Sequence, residues 1–324
     1  MKIGILGTGA YGLALGNIII DNNHELVMWT KFKEEKELLD TTRCNERAIK
    51  NFKIPEQIIF TNDLKEAVND KDLIIIAIPA AYILELVDNL KPMIKDNNIL
   101  IATKGIENET GKFINEILEE KLNAKNIAVI SGPSFAKDLV ERMPAGLSLG
   151  SNNEELITIV KKALCNKYIK LRETKDIIGV EACGAIKNVI ALAAGMLSGL
   201  GANESTKAML ITEAIHDMKE MLKAFDADSK TISSFAGIGD LLLTCNSESS
   251  RNFSFGKLIG EQKSEKEIEQ YLNTTTVEGM YTLKSIYKLL RNKKINIEVI
   301  DLIYNIIVRK EKPESLLTFL VEKD

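Results

Sequence analysis

The sequence predicts an α/β fold for its first half and an all-helical second half. Up to about residue 173, short apolar strands alternate with helices, and residues 72–79 (DLIIIAIP) form the strongest predicted strand. An almost wholly apolar run of this length is typical of a central strand in a parallel sheet. Between Asp176 and Phe225 the periodicity is helical. We therefore expect a doubly wound parallel sheet in a domain of residues 1–173, followed by an all-α C-terminal domain of residues 174–324.

The individual elements follow from apolar runs and their spacing. Strands are predicted at residues 2–6, 25–29, 58–60, 72–79, 99–102, 127–130, 147–150 and 168–171. Helices are predicted between them at residues 13–20, 33–40, 64–68, 82–90, 113–122 and 154–165, and later at 265–272, 282–290 and 298–308. Repeated βαβ units predict parallel pairing throughout, with ligands at the carboxyl ends of the strands.

A glycine-rich turn joins the first strand to the first helix. Gly7, Gly9 and Gly12 lie in GTGAYG, a G-x-G-x-x-G pattern in the strand–turn–helix context where it is informative. The first glycine allows the tight turn, the second allows a pyrophosphate to approach, and the third allows close packing of helix and strand. The N–H groups and the dipole at the helix start then hold the phosphates. The turn predicts a Rossmann-type dinucleotide-binding domain.

Composition and charge exclude several classes of protein. At 324 residues the chain is too long for one ordinary core, and 45% hydrophobic with 27% charged residues is typical of a soluble globular protein. A net charge of −4 without a basic arm argues against nucleic-acid binding. The chain starts with a strand rather than a signal peptide, and its four cysteines are scattered, so we expect a cytoplasmic protein with free thiols. The two histidines have no ligand partner at useful spacing, so no metal site is expected.

The end of the second predicted strand bears on the choice of cofactor. In dinucleotide-binding folds an acid usually holds the adenosine ribose there. Here the stretch reads WTKFK, with Lys31 and Lys33 in place of that acid. The lysines either attract the 2′-phosphate of NADP, so that NADPH is used at least as well as NADH, or are simply solvated. With no acid at this position, we predict that NADPH is accepted at least as well as NADH.

Two isolated charges stand in apolar stretches of the second half. Lys187 is the only charged residue between Glu181 and Glu204, and Asp240 is the only one in FAGIGDLLLTC. A buried lysine is costly unless it is paired, and burial lowers its pKa toward the range that is useful for proton transfer. The alternatives are a lysine that reaches the surface and an aspartate that caps a helix. The apolar stretch around Lys187 is expected to be a core helix rather than a membrane span, because glycines, polar residues and a lysine interrupt it.

Three segments carry groups that suit an anion. Residues 131–136 (SGPSFA) follow a predicted strand, as does Lys104. Residues 249–252 (SSRN) gather hydroxyl, guanidinium and amide donors in what we expect to be a loop. Each of these would be an ordinary polar loop on its own, but together they indicate a phosphate-binding site.

Taken in order, these motifs resemble those of the bacterial NAD(P)-dependent glycerol-3-phosphate dehydrogenases. The motifs are GTGAYG at 7–12, TKG at 103–105, SGPSFA at 131–136, GAIKNVIA at 184–191, GIGDLLLTC at 237–245, SRN at 250–252 and VEG at 277–279. The resemblance implies a Rossmann-type domain followed by a helical domain. It also implies the interconversion of dihydroxyacetone phosphate and sn-glycerol 3-phosphate with NADP or NAD, in a homodimer that supplies phospholipid synthesis.

The resemblance also assigns residue roles. It implies that Lys187 transfers the proton and that Asp240 belongs to the catalytic set. The implied substrate contacts are Lys104, Gly132, Ser134, Lys187, Asp240, Ser250, Arg251 and Asn252. The implied cofactor contacts are Gly7, Gly9, Ala10, Tyr11, Gly12, Lys31, Lys104, Ala136, Arg251 and Glu278. The chain departs from the family at Ala10-Tyr11, where Ser-Trp is common, and at Lys31, where Arg or His is common.

Two other functions compete with this one. Another Rossmann-type dehydrogenase, acting on an unphosphorylated hydroxy acid, would not need the donors at Ser250–Asn252. A non-catalytic dinucleotide-binding regulator would have no use for Lys187 in an apolar helix.

Overall fold

The computed structural model describes residues 1–323, which form two compact units. The N-terminal unit comprises Met1–Thr103 and Ile114–Ile177. The helical unit comprises Lys104–Phe113 and the chain from Ile178 onward. The predicted domain boundary at residue 173 stays a prediction. The helical unit also includes Lys104–Phe113, which lies before that boundary in the sequence.

A single sheet organises the N-terminal unit. Its strands are β1 (Lys2–Leu6), β2 (Glu25–Trp29), β3 (Ile59–Thr61), β4 (Leu73–Ile76), β5 (Ile99–Ile101), β6 (Ile127–Ser131), β7 (Ala145–Ser151) and β8 (Ile169–Thr174). They form an 8-stranded sheet in the order β3-β2-β1-β4-β5-β6-β7-β8. The eight strands predicted from the sequence are all present, and the chain reverses its strand order beside β1, as in a doubly wound fold.

Helices connect these strands. They are α1 (Ala10–Asp21), α2 (Lys33–Thr42), α3 (Leu64–Val68), α4 (Ile83–Leu90), α5 (Ile114–Leu122), α6 (Ala136–Val140) and α7 (Glu154–Leu164), with a 3₁₀ turn at Ala80–Tyr82. All four residues of β4 are buried, which explains why this strand is apolar on both faces.

The prediction of parallel pairing throughout is wrong at one position. β7 pairs antiparallel with β6, whereas the other strand pairs are parallel. The connection from β6 to β7 contains the five-residue α6. The equally short α3 joins β3 to β4, which run in the same direction, so the length of the connecting helix does not by itself set the direction of the next strand.

The helical unit confirms the helical periodicity of the second half. Its helices are α8 (Ile177–Gly199, whose first residue belongs to the N-terminal unit), α9 (Glu204–Ala224), α10 (Asp240–Cys245), α11 (Arg251–Gly260), α12 (Glu265–Thr274), α13 (Glu278–Asn292), α14 (Glu298–Arg309) and α15 (Ser315–Glu322). A 3₁₀ turn at Ser229–Ser233 and a π-helical turn at Phe235–Gly239 precede α10. By length and composition α8 could cross a membrane, but 89% of its most apolar window is buried inside the protein, as expected for a core helix.

Glycines let α8 and α11 approach each other closely. A Cβ atom added at Gly195 of α8 would lie 2.0 Å from the carbonyl oxygen of Phe253. One added at Gly256 of α11 would lie 2.0 Å from that of Leu192, and one at Gly260 would lie 2.1 Å from that of Met196. The two backbones are therefore in direct contact, which explains the small residues of this apolar stretch.

We expect Gly256→Ala to destabilise the protein by about 1–3 kcal/mol or more, since the new methyl group collides with backbone rather than with a movable side chain. In an open helix the same change would be stabilising by about 1 kcal/mol, so the sign of the effect is diagnostic. Chemical denaturation of the purified protein measures it. Ser254→Ala, on the same helix, provides the control because it removes a hydroxyl that donates to the Glu248 carbonyl and adds no atom against the neighbouring backbone. Stabilisation by Gly256→Ala would show that the two helices are further apart.

Candidate functional site

The glycine-rich turn forms an open cradle at the carboxyl end of β1. Gly7 has φ +124°, and a Cβ atom there would lie 2.5 Å from the Ala77 carbonyl oxygen. At Gly12 it would lie 2.4 Å from the Gly7 carbonyl oxygen. At Gly9 it would meet no atom within 4 Å among the described residues 1–323. Gly7 and Gly12 are thus required by the fold, whereas Gly9 faces open space that a ligand can fill.

The start of α1 suits the phosphates of a dinucleotide. Gly9 is the N-cap residue of α1 and has no side chain that could cap the helix. The backbone N–H groups of the first turn of α1 are therefore available to a ligand. Ala10, Tyr11 and Gly12 form the first turn and carry no charge that would repel an anion. The cradle therefore fits the NAD or NADP that the sequence implies, with Ala10 contributing backbone rather than a hydroxyl.

At the end of β2 the structure adds two carboxylates that the sequence pattern did not reveal. Lys31 Nζ lies 2.5 Å from Glu85 Oε1, an oxygen of the first turn of α4. Thr30 Oγ1 donates to Glu35 Oε2 at 2.5 Å, from the first turn of α2. Glu35 is five residues from Thr30, whereas Glu85 is 54 residues from Lys31, so only the fold brings Glu85 to the strand end.

The loop after β6 places two predicted site residues together. Ser134 Oγ donates to the Gly132 carbonyl oxygen at 3.1 Å and lies 3.2 Å from the Tyr11 hydroxyl oxygen. A Cβ atom at Gly132 would lie 2.6 Å from the Gly146 carbonyl oxygen, so the loop is held tightly against β7. Ala136, another predicted cofactor contact, is the first residue of α6. The predicted cofactor residue Tyr11 thus neighbours the predicted substrate residue Ser134.

A cluster of three charged groups is buried in the helical unit. Asp240 Oδ1 accepts from Lys187 Nζ at 2.5 Å, and Asp240 Oδ2 accepts from Lys104 Nζ at 2.8 Å. The exposed fraction is 5% for Lys187 and 1% for Asp240. The two isolated charges of the second half are therefore paired with each other. Asp240 is the first residue of α10 and its side chain serves this cluster, whereas the N-cap residue is Gly239.

Thr244 completes the cluster. Its hydroxyl accepts from Lys187 Nζ at 2.9 Å and donates to the Asp240 carbonyl oxygen at 2.6 Å. Sequence reasoning missed it, although its spacing of four residues from Asp240 on a helix was an available signal. Cys245 is next in the chain, and burial raises the pKa of its thiol to about 12.

The electrostatics of the cluster favour proton transfer by Lys187. Desolvation, together with the charge of Lys104 and against the opposing attraction of Asp240, lowers the pKa of Lys187 to about 8. Burial alone would raise the pKa of Asp240, but Lys104 and Lys187 outweigh it and hold that pKa below its usual value. The cluster therefore contains an ionised carboxylate and a lysine that titrates near neutral pH.

The donors at residues 250–252 lie at the start of α11, so the prediction of a loop there is wrong. Ser250 is the N-cap residue, and its side chain accepts from the Phe253 amide, which starts the helix. Arg251 is exposed, and its guanidinium makes no hydrogen bond to any residue in the described range. A cation at the positive end of a helix is well suited to an anionic ligand.

The Asn252 side chain links the start of α11 to two other helices. It donates to Asn188 Oδ1 of α8 at 3.0 Å, and it accepts from the Gly279 amide of α13 at 2.8 Å. Glu278 lies beside Gly279, and desolvation raises the pKa of its carboxyl above the usual value. The positive charges of Arg251, Lys104 and Lys187 lower this pKa, but by less than desolvation raises it. The structure thus groups the predicted residues of the helical unit, while their roles stay predictions. Asn188 was not singled out from the sequence.

A Rossmann-type glycine cradle and a buried lysine–carboxylate cluster define a dinucleotide-dependent oxidoreductase. Residues 2–157 match the model of the NAD-dependent glycerol-3-phosphate dehydrogenase N-terminus, and residues 176–318 match that of its C-terminus. The chain therefore belongs to the NAD-dependent glycerol-3-phosphate dehydrogenase family, as the motifs indicated.

Relatives over the full length agree with this family. A glycerol-3-phosphate dehydrogenase (NAD(P)+) of Fusobacterium nucleatum is 38% identical, over 92% of this chain and 89% of that protein. One from Leptospira biflexa is 34% identical, over 100% and 98%. The crystal structure of glycerol-3-phosphate dehydrogenase from Coxiella burnetii superposes with a TM-score of 0.94 at 29% identity, covering 99% of both chains.

The open space at Gly9 leads to a paired test of the cradle. We expect Gly9→Ala to leave the stability nearly unchanged but to weaken dinucleotide binding at least tenfold, because its methyl group enters the ligand's space. Gly12→Ala serves as the comparison and should lower the melting temperature, since its methyl group meets the Gly7 carbonyl. Calorimetric titration with NADH and thermal unfolding give both readouts. Unaltered binding by Gly9→Ala would place the phosphates elsewhere.

Proposed function

We propose that this protein catalyses the interconversion of dihydroxyacetone phosphate and sn-glycerol 3-phosphate with NAD or NADP. The observation that carries the proposal is the buried lysine Lys187, which is held by Asp240 and Thr244 and has a pKa of about 8. Membership of the family supports the substrate assignment. A reduction of this kind needs a hydride at the carbonyl carbon and a proton at the carbonyl oxygen.

The protein's own contribution to the chemistry is the proton. NADH or NADPH supplies the hydride when bound. Lys187 is the proposed acid in reduction and the proposed base in the reverse reaction, because a group that titrates near neutral pH can serve in both directions. Asp240 and Thr244 orient the amine, so that it is already aimed when the substrate arrives.

Lys104 contributes charge to the same cluster. Two ammonium groups share the single carboxylate of Asp240, which leaves the cluster net positive when Lys187 is protonated. A fixed positive charge in a buried place stabilises an oxygen on which negative charge develops, at no cost of reorganisation. We assign Lys104 to substrate binding on this ground, and we assign Asp240, which holds both ammonium groups, on the motif resemblance.

The phosphate group of the substrate is assigned to the start of α11. Arg251 offers a planar fork of donors that no described residue occupies, and the helix N-terminus adds its own partial charge. Ser250 and Asn252 are buried and already hydrogen-bonded, so we propose that they shape this end and donate their remaining hydrogens. Gly132 and Ser134 are proposed as further substrate contacts.

The cofactor is assigned to the glycine cradle and its surroundings. Gly7, Gly9, Ala10, Tyr11 and Gly12 form the turn and first helical turn at the end of β1. Lys31, Lys104, Ala136, Arg251 and Glu278 are the further proposed cofactor contacts, which rest on the motif resemblance. The same resemblance is the basis for proposing a cytoplasmic homodimer that supplies phospholipid synthesis.

The decisive assay uses purified protein, NADH or NADPH, and dihydroxyacetone phosphate against unphosphorylated dihydroxyacetone. We expect rapid oxidation of the reduced cofactor with the phosphorylated ketone only. Equal rates with the two ketones would favour a dehydrogenase for unphosphorylated substrates. Binding of cofactor without any turnover would favour a regulator.

Replacing Lys187 tests proton transfer. Lys187→Met should lower kcat by about 10²–10⁴-fold, since this is the usual contribution of a general acid, while dinucleotide binding survives. In the unmodified enzyme, reduction needs the protonated amine and should decline as pH rises past about 8, whereas oxidation needs the neutral amine and should increase over the same range. Initial rates across pH in both directions measure this.

The matched control is Lys257→Met, which removes a half-buried lysine of α11 that pairs with Glu248. It should leave both pH profiles in place. Turnover by Lys187→Met near the unmodified rate would assign that lysine a structural role only.

Replacing Arg251 tests the phosphate assignment. Arg251→Ala should lower kcat/KM for dihydroxyacetone phosphate by about a hundredfold or more, because a bidentate charge-assisted contact to a remote group is lost. The poor rate with unphosphorylated dihydroxyacetone should change much less, since that substrate never made the contact. Steady-state kinetics at saturating cofactor give the ratio between substrates. An equal loss with both substrates would contradict the phosphate role.

A further inference from the structure

The ion pair between Lys31 and Glu85 is not used by the proposed reaction. Its two side chains have exposed fractions of 55% and 53%, and the charged atoms are 2.5 Å apart. Lys31 follows the carboxyl end of β2, and Glu85 lies on α4, the helix that follows β4. Both strands pair in parallel with β1, whose carboxyl end carries the glycine cradle. The pair therefore lies at the ligand-binding edge of the sheet.

The position of Lys31 is the one that distinguishes the two dinucleotides in folds of this type. An acid after the second strand binds the ribose 2′-hydroxyl of NAD, whereas a basic side chain accommodates the 2′-phosphate of NADP. Glu35, in the first turn of α2, is occupied by the Thr30 hydroxyl at 2.5 Å and by the Asn45 amide at 3.5 Å. Lys31 is the cation that would bind a 2′-phosphate, and its ammonium group is already ion-paired with Glu85.

We infer that Glu85 is a specificity-determining residue that holds Lys31 and thereby lowers the preference of this enzyme for NADP over NAD. The inference rests on the proposed use of both cofactors. To bind Lys31, a 2′-phosphate has to break the ion pair between Lys31 and Glu85. The phosphate then lies close to the negative charge of Glu85, which repels it. A 2′-hydroxyl is neutral and meets neither obstacle.

The size of the effect follows from the exposure of the pair. An exposed ion pair is worth roughly a factor of five or less in an equilibrium, and repulsion of a nearby phosphate adds a contribution of similar size. We therefore expect Glu85 to shift the preference several-fold rather than to exclude NADP. Added salt should weaken the shift, since exposed charges are screened.

The test compares adenosine 2′,5′-bisphosphate with adenosine 5′-monophosphate, two probes that differ by the 2′-phosphate alone. Calorimetric titration of the full chain with each probe gives the ratio of the two dissociation constants. Glu85→Gln should shift this ratio roughly three- to tenfold toward the bisphosphate, and the KM for NADPH relative to NADH should follow without a change in the ratio of the kcat values. Glu85→Asp should retain part of the unmodified preference because it keeps the charge.

Asp88→Asn is the matched control. It removes a carboxylate of the same helix that is 66% exposed and pairs with Lys121 instead. This variant should leave the ratio unchanged. An unchanged ratio in Glu85→Gln, or an equal shift in Asp88→Asn, would overturn the inference.

A second background tests whether Glu85 acts through Lys31. In a Lys31→Met protein, adding Glu85→Gln should shift the ratio by only part of the shift seen in the unmodified protein, because the ion pair is absent and only the direct repulsion between Glu85 and the 2′-phosphate is relieved. A full-sized shift without Lys31 would overturn the positioning role. Because binding of the two probes needs no turnover, these results stay readable even where the proposed reaction fails, and failure of the reaction alone is distinguishable from failure of the specificity assignment.

Discussion

The sharing of the Asp240 carboxylate between Lys104 and Lys187 is the interaction on which the chemistry of the helical unit depends. Removing a charge from water costs several kcal/mol even after relaxation, so each of these groups is tolerable only with its partners. One carboxylate for two ammonium groups is an incomplete neutralisation. The surplus of positive charge helps to lower the pKa of Lys187. The imbalance that makes the cluster unfavourable for stability is therefore what makes it suitable for proton transfer and for an anionic substrate.

The close packing of α8 against α11 positions the charged and polar groups of the helical unit. The glycines of α8 and α11 bring the two backbones into contact, and this fixes Asn188 against Asn252. Lys187 is the preceding residue on α8, so it is directed to a different neighbour, Asp240 of α10. A single helix thus connects the proposed proton donor to the proposed phosphate end. Loosening the contact between α8 and α11 would disturb both, since neither side chain can adjust independently of the helix.

The sequence predicted the elements better than their pairing. Apolar runs indicated the strands, but they did not distinguish the connection through the five-residue α6, after which the strand direction reverses, from the connection through the five-residue α3, after which it does not. Lys187 and Asp240 were visible because a lone charge in an apolar stretch is unusual. Thr244 and Asn188 were not, since a hydroxyl or an amide in a helix is common and only the three-dimensional contact shows its use. The membership of Lys104–Phe113 in the helical unit likewise depends on tertiary packing.

The buried cluster of Lys104, Lys187 and Asp240 and the exposed Lys31–Glu85 pair differ in how much a substitution would affect the stability of the protein. The buried cluster is constrained, because breaking one member leaves an uncompensated charge and costs about 3–5 kcal/mol, which is a large part of the stability of an ordinary domain. The Lys31–Glu85 pair is more than half exposed, so its loss has little effect on folding and acts mainly on whatever ligand approaches it. A protein built in this way can alter its preference between NAD and NADP through surface charges while its proton-transfer chemistry stays fixed. This separation gives a physical reason why a single fold can be used with both cofactors.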